Sequence, residues 1–201
     1  TLGEVIRDHP NLIRNIKRRG HEVGLHGWTH KRLDRSTPVE FRDELSRSIE
    51  HYTRTLTKWP KGFRAPQFSI CKESSYALGI LAENRFLYDS SMYPCRMGFY
   101  GNNDGPIHPY YPSLENPSTP AASGLLMEVA ALVYVFLGVR FPVAGGFWSR
   151  FLGLRFLSKV ISDTNARGYP ATVYFHNWEF LENDPWVPGK RLNYRNYGIP
   201  I

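Results

Sequence analysis

The chain reads as an α/β fold, a parallel sheet with helices packed outside it, either open or closed into a barrel. Three observations carry that reading. Segments with apolar residues at helical spacing alternate with short apolar runs, and those runs lack the polar alternation of a half-exposed strand. Conspicuous polar residues collect where the runs end. The length, 201 residues with a hydrophobic fraction of 42%, suits one folded domain over residues 1–201 with a real core.

Residues 1–19 form the first helical region, in two pieces. Val5 and Ile6 begin an apolar stripe, Pro10 suits the first turn of a restarted helix, and Leu12, Ile13 and Ile16 share a face before Gly20 stops it. A strand over 22–25 follows and delivers His26 and His30 into a turn. Thr37-Pro38-Val39-Glu40 is a helix start: a Thr cap, Pro at the first position and Glu three residues after the cap. Phe41, Leu45, Ile49, Tyr52 and Leu56 continue that helix. Residues 62–66 read as a strand, 74–84 as a helix and 86–91 as a strand. Pro, Gly, Asn and Ser dominate 94–123, a long loop. Strands are expected over 125–129, 133–136 and 139–144, then a helix over 147–167 capped by Gly168. A buried strand over 171–175 leads into His176. The remainder, rich in Pro, Asn and Tyr, reads as an irregular tail.

Composition narrows the partners. Lys and Arg outnumber Asp and Glu by 25 to 18, for a net charge of +7. The basic cluster Arg14, Lys17, Arg18 and Arg19 falls at one helix end, where it complements the macrodipole. No basic–aromatic pattern points to nucleic acid. The most apolar stretch, 125–143, contains Glu128 and Arg140, and its uncharged part is too short to span a bilayer. Two cysteines, Cys71 and Cys95, leave the redox compartment undecided, and the cellular location stays open.

In parallel α/β architectures the C-terminal ends of the strands share one face, and that face carries the chemistry. His26 and His30, Arg64 and Pro66, Asp89, and His176 all fall at such ends. The two early histidines, four residues apart, can reach one metal ion if their segment takes up a helical turn.

These residues resemble the motifs of the polysaccharide deacetylases, the NodB-homology domain of carbohydrate esterase family 4. His26-Gly27-Trp28-Thr29-His30 is similar to the family's metal motif, with Gly27 where Ser or Thr is usual. Phe63-Arg64-Ala65-Pro66-Gln67-Phe68 resembles its R-x-P motif, and Tyr88-Asp89-Ser90-Ser91 and Phe175-His176-Asn177-Trp178-Glu179 resemble later motifs. Phe141-Pro142-Val143-Ala144-Gly145-Gly146 is similar to a segment of the exosortase-associated exopolysaccharide branch. The resemblance implies a distorted (β/α) barrel of the NodB-homology type, incomplete at the N-terminus. The family's Asp-rich first motif has no counterpart, so the chain is expected to be truncated at both ends and inactive alone.

The activity implied is metal-assisted removal of N-acetyl groups from a polysaccharide, in exopolysaccharide biosynthesis. Zn²⁺ is the expected cofactor, held by His26 and His30 with an Asp from outside the chain. The resemblance makes Arg64 the residue that orients the base and His176 the acid. The backbone N–H of Gln67, after Pro66, would assist the oxyanion. Asp89 would either hold His176 in its charged form or contact substrate. Trp178 and Trp28 would stack on sugar rings or pack in the core. A non-catalytic glycan-binding relative and an amidase acting on a small cyclic amide are the alternatives.

Overall fold

A computed structural model describes residues 1–96, 101 and 104–180. The chain packs as two compact units, Thr1–Ala130 and Ala131–Ile201.

The first unit opens with helices α1 (Gly3–Asp8) and α2 (Pro10–Arg18), with Pro10 in the first turn of α2 as expected. Helix α3 (Pro38–Leu56) begins with the full capping box: the Thr37 hydroxyl accepts from the Glu40 N–H, and the Glu40 carboxylate accepts from the Thr37 N–H. Its buried face carries Phe41, Leu45, Ile49, Tyr52 and Leu56, and the Tyr52 hydroxyl donates to the Val23 carbonyl at 2.9 Å. That bond fastens the helix to the first extended segment.

The sheet beneath is parallel, in the order β1 (Gly62–Phe63), β2 (Tyr88–Asp89) and β3 (Met127–Glu128). Leu25 adds a bridge on the outer side of β1: its N–H donates to the Gly62 carbonyl and its carbonyl accepts from the Arg64 N–H. The register therefore aligns Leu25, Phe63, Asp89 and Glu128 in one row. Phe63 meets Phe41 and Phe86 edge-to-face, with centroids 5.6 and 6.1 Å away, and anchors the apolar half of that row. Helix α4 (Tyr76–Glu83) connects β1 to β2.

The second unit contains β4 (Val133–Phe136) and β5 (Val139–Pro142), which pair antiparallel. The expected third strand of this region is thus one arm of a hairpin, not a further parallel strand. The helix expected over 147–167 is two helices, α5 (Gly146–Leu152) and α6 (Leu154–Ala166), because Gly153 between them sits at φ +82° and cannot continue a right-handed helix. Residues 171–175 do not form the expected strand. They are only partly covered, with Phe175 40% exposed, and lack the two buried faces that a central parallel strand needs. Among the described residues no helix is long and apolar enough to cross a membrane.

Candidate functional site

Each parallel strand of the first unit releases its side chains at the same sheet end, and hydrogen bonds link those ends in series. His26 Nδ1 lies 2.6 Å from the Arg64 carbonyl oxygen. A carbonyl only accepts, so Nδ1 carries the proton and Nε2 keeps its lone pair. Arg64 then donates from Nε to the Ser90 carbonyl at 2.8 Å and from its second nitrogen to Ser90 Oγ at 2.6 Å. Ser90 Oγ donates to the Val129 carbonyl at 2.7 Å. The relay crosses from the first segment to the residue after β3.

His26 and His30 do come together: their ring centroids lie 5.0 Å apart, edge to face. They do so without the expected helical turn. Gly27 at φ +79° and His30 at φ +66° reverse the chain, and positive φ angles are incompatible with a right-handed helix. Burial, opposed by the bond to the Arg64 carbonyl and assisted by neighbouring positive charge, lowers the His26 pKa to about 4. Its imidazole is therefore neutral at pH 7. A neutral ring with its outer nitrogen fixed by a backbone carbonyl is the form a metal ligand requires. The pair thus fits as two ligands of one divalent ion. Among the described residues no His, Cys, Asp or Glu joins them to make a set of three, and zinc sites use three or four.

Pro66 is buried, and a side chain on Gly27 would meet Pro66 Cγ at 3.4 Å, so the histidine turn packs against the Pro66–Phe68 turn. Gln67 sits at φ +55°. Its exposed side chain accepts from Arg32 at 3.0 Å, and Arg32 also grips Asp34 through two nitrogens. Trp28 is core: it is 7% exposed, with Arg7 and Arg47 guanidiniums 5.5 and 5.3 Å from its ring. It offers no face to a sugar.

Asp89 is fully buried. Its Oδ1 accepts from Ser91 Oγ at 2.6 Å, and its register partner on β3 is the equally buried Glu128. With no exposed atom it cannot meet a substrate directly. Glu128 and the two serines were not read from the sequence as site residues. The available signal was a single carboxylate inside the apolar run 125–133.

In the second unit His176 precedes a 3-10 turn, Asn177–Phe180. Its N–H donates to Glu179 Oε2 at 2.7 Å, and its Nδ1 lies 3.6 Å from Glu179 Oε1. Burial works to raise the Glu179 pKa, but its bonds with His176 and the charges of His176 and Arg150 outweigh that and lower it. Within the second unit, Glu179 is the carboxylate beside His176. The placement of the Trp178 side chain lies outside the described residues.

Residues 1–81 match the family model Polysaccharide deacetylase, and residues 90–198 match Domain of unknown function (DUF3473). The chain belongs to the DUF3473 family, and its first 81 residues are similar to polysaccharide deacetylases. Among curated relatives, it is 37% identical over 68 residues to the chitooligosaccharide deacetylase of a Bradyrhizobium species, covering 32% of this chain and 30% of that protein. It is 30% identical over 69 residues to the peptidoglycan-N-acetylglucosamine deacetylase of Bacillus cereus, covering 34% and 25%. The matched stretches thus span less than a third of these relatives' lengths. A crystal structure from Mycobacterium smegmatis superposes with a TM-score of 0.60 at 24% identity, over 87% of this chain and 56% of that one. The fold is an α/β fold similar to that of NodB-type deacetylases.

Proposed function

We propose that this deacetylase-family chain contributes to a metal-dependent hydrolase that removes N-acetyl groups from amino-sugar residues of a polysaccharide, in exopolysaccharide biosynthesis. The observation that carries this reading is the paired imidazoles of His26 and His30, with His26 neutral and locked by the Arg64 carbonyl. They would hold two positions on a divalent ion, Zn²⁺ by ligand type, and the rest of the ligand set would come from outside the described residues. Bound there, the ion supplies polarisation of the acetamide carbonyl and a more acidic water.

The chain's own residues account for the remainder. Arg64, held at three points by Ser90 and by His26, presents a fixed positive charge beside the histidines. It would orient the carboxylate that takes the water's proton. The Gln67 N–H makes no hydrogen bond among the described residues and sits on the turn packed against Gly27, which supports its role as an oxyanion donor. His176 would protonate the departing amine, a role assigned by the resemblance and supported by the Glu179 carboxylate 3.6 Å from its Nδ1. Trp178 is the proposed sugar contact.

The test is acetate release from N-acetylglucosamine oligomers by the protein that carries this chain. Release is expected with zinc, to stop with EDTA, and to fall by about a hundredfold or more in His26→Ala. Turnover that survives both treatments would overturn the reading. Oligomer binding without turnover in zinc would instead mark a glycan-binding relative.

A further inference from the structure

We propose that Asp89 and Glu128 share a single proton, carried by Glu128 at neutral pH, and that this carboxyl pair positions the loops holding Arg64 and the Pro66–Gln67 turn. The two residues are direct neighbours across β2 and β3, and neither has any exposed surface. Each has one oxygen served by the protein: Asp89 Oδ1 by Ser91 Oγ, and Glu128 Oε1 by the Met92 N–H at 2.9 Å. The other two, Asp89 Oδ2 and Glu128 Oε2, meet no donor among the described residues. Yet the two side chains leave adjacent strands at paired positions and are buried together. Two carboxylates offer only acceptors, and two buried like charges in contact repel strongly. One proton between them supplies the missing donor and removes one charge.

The surroundings decide where the proton sits. The charged and titratable groups acting on the pair are Arg64, from the end of β1, and Tyr110, whose segment lies antiparallel beside Glu128. Burial raises the Asp89 pKa, but the Ser91 hydroxyl and the Arg64 charge oppose that rise and favour its anion. Burial, and then the charge of Asp89, push the Glu128 pKa well above the usual carboxyl value of 4.5. Burial, with the two carboxyls, raises the Tyr110 phenol as well, so it stays neutral.

The pair holds Ser91 and Met92, the residues that follow Ser90. Ser91 Oγ donates to Asp89 and accepts from the Ala65 N–H at 2.7 Å, directly before Pro66. Ser90 holds Arg64, and the Met92 N–H ends on Glu128. Asp89 and Glu128 are therefore positioning residues that act through Ser91, Ala65 and Met92, on either side of the segment that carries Ser90. Their effect on turnover rests on the proposed deacetylase reading; the shared proton does not.

Two readouts test it separately. Infrared difference spectra of the chain at neutral pH are expected to show one protonated carboxylic acid that is absent from Glu128→Gln. No such band in the wild type, or a band that survives Glu128→Gln, would overturn the shared proton. A raised folded pKa adds stability at low pH that fades as pH rises, so the unfolding constant of wild type relative to Glu128→Gln should grow by about tenfold per pH unit just above 4.5. His26 pulls the other way between 6.5 and about 4, because its folded pKa is lowered, and it cancels in that difference. For positioning, Glu128→Gln keeps a neutral donor and Glu128→Ala does not. In the acetate assay kcat should therefore fall about tenfold further in Glu128→Ala, with KM little altered. Equal kcat in the two variants would refute positioning while leaving the infrared result intact. A protein without acetate release would refute the deacetylase reading alone.

Discussion

At φ +79°, Gly27 reverses the chain straight after His26, with Pro66 packed beside the turn. Gly27→Ala should therefore cost about 1–3 kcal/mol, from left-handed backbone strain, measured by urea unfolding at pH 7. An unchanged midpoint would mean the turn takes another conformation. This position also shows what a sequence conveys at the scale of single residues. The histidine spacing pointed to one shared ligand site and the rings do meet, but through a reversed turn in place of a helical one. Arg64 was legible because a lone arginine ends an apolar run. Glu128 was not, because an isolated carboxylate in a strand carries no motif, and only the register beside Asp89 gives it meaning. Trp28 was open between sugar contact and core, and burial beneath two arginines makes it core.

Helix α3 was the most legible element, because its start is encoded chemically. Thr37, Pro38 and Glu40 each satisfy a backbone need at a fixed offset, and the structure forms the complete box. Thr37→Ala removes the acceptor for the Glu40 N–H and should destabilise the chain by about 1 kcal/mol in a urea melt. A change near zero would show that the cap is replaced by water at no cost. Strands were read less well. Unbroken apolar runs reveal burial but not direction, so the antiparallel pairing of β4 with β5 was missed. Their connection, Leu137-Gly138, has both residues at positive φ, the backbone of a tight hairpin turn. It lacks the Asn or Asp that usually announces one. The strand expected at 171–175 failed for a different reason, since apolar character there is not matched by burial on both faces.

For the molecule as a whole, the α/β class and the strand-end location of Arg64 and Asp89 followed from alternation and periodicity, whereas His176 ends no strand. The metal site did not follow in full, because ligation needs at least three groups and the described residues bring two together. The proposed chemistry requires His26 and His30 to bind one ion jointly. Calorimetric zinc titration of the 201-residue chain, and of the single variants His26→Ala and His30→Ala, measures that directly. One zinc per chain is expected, with affinity weakened by about tenfold or more in each variant. Zinc binding equally tight in wild type and either variant would contradict joint ligation.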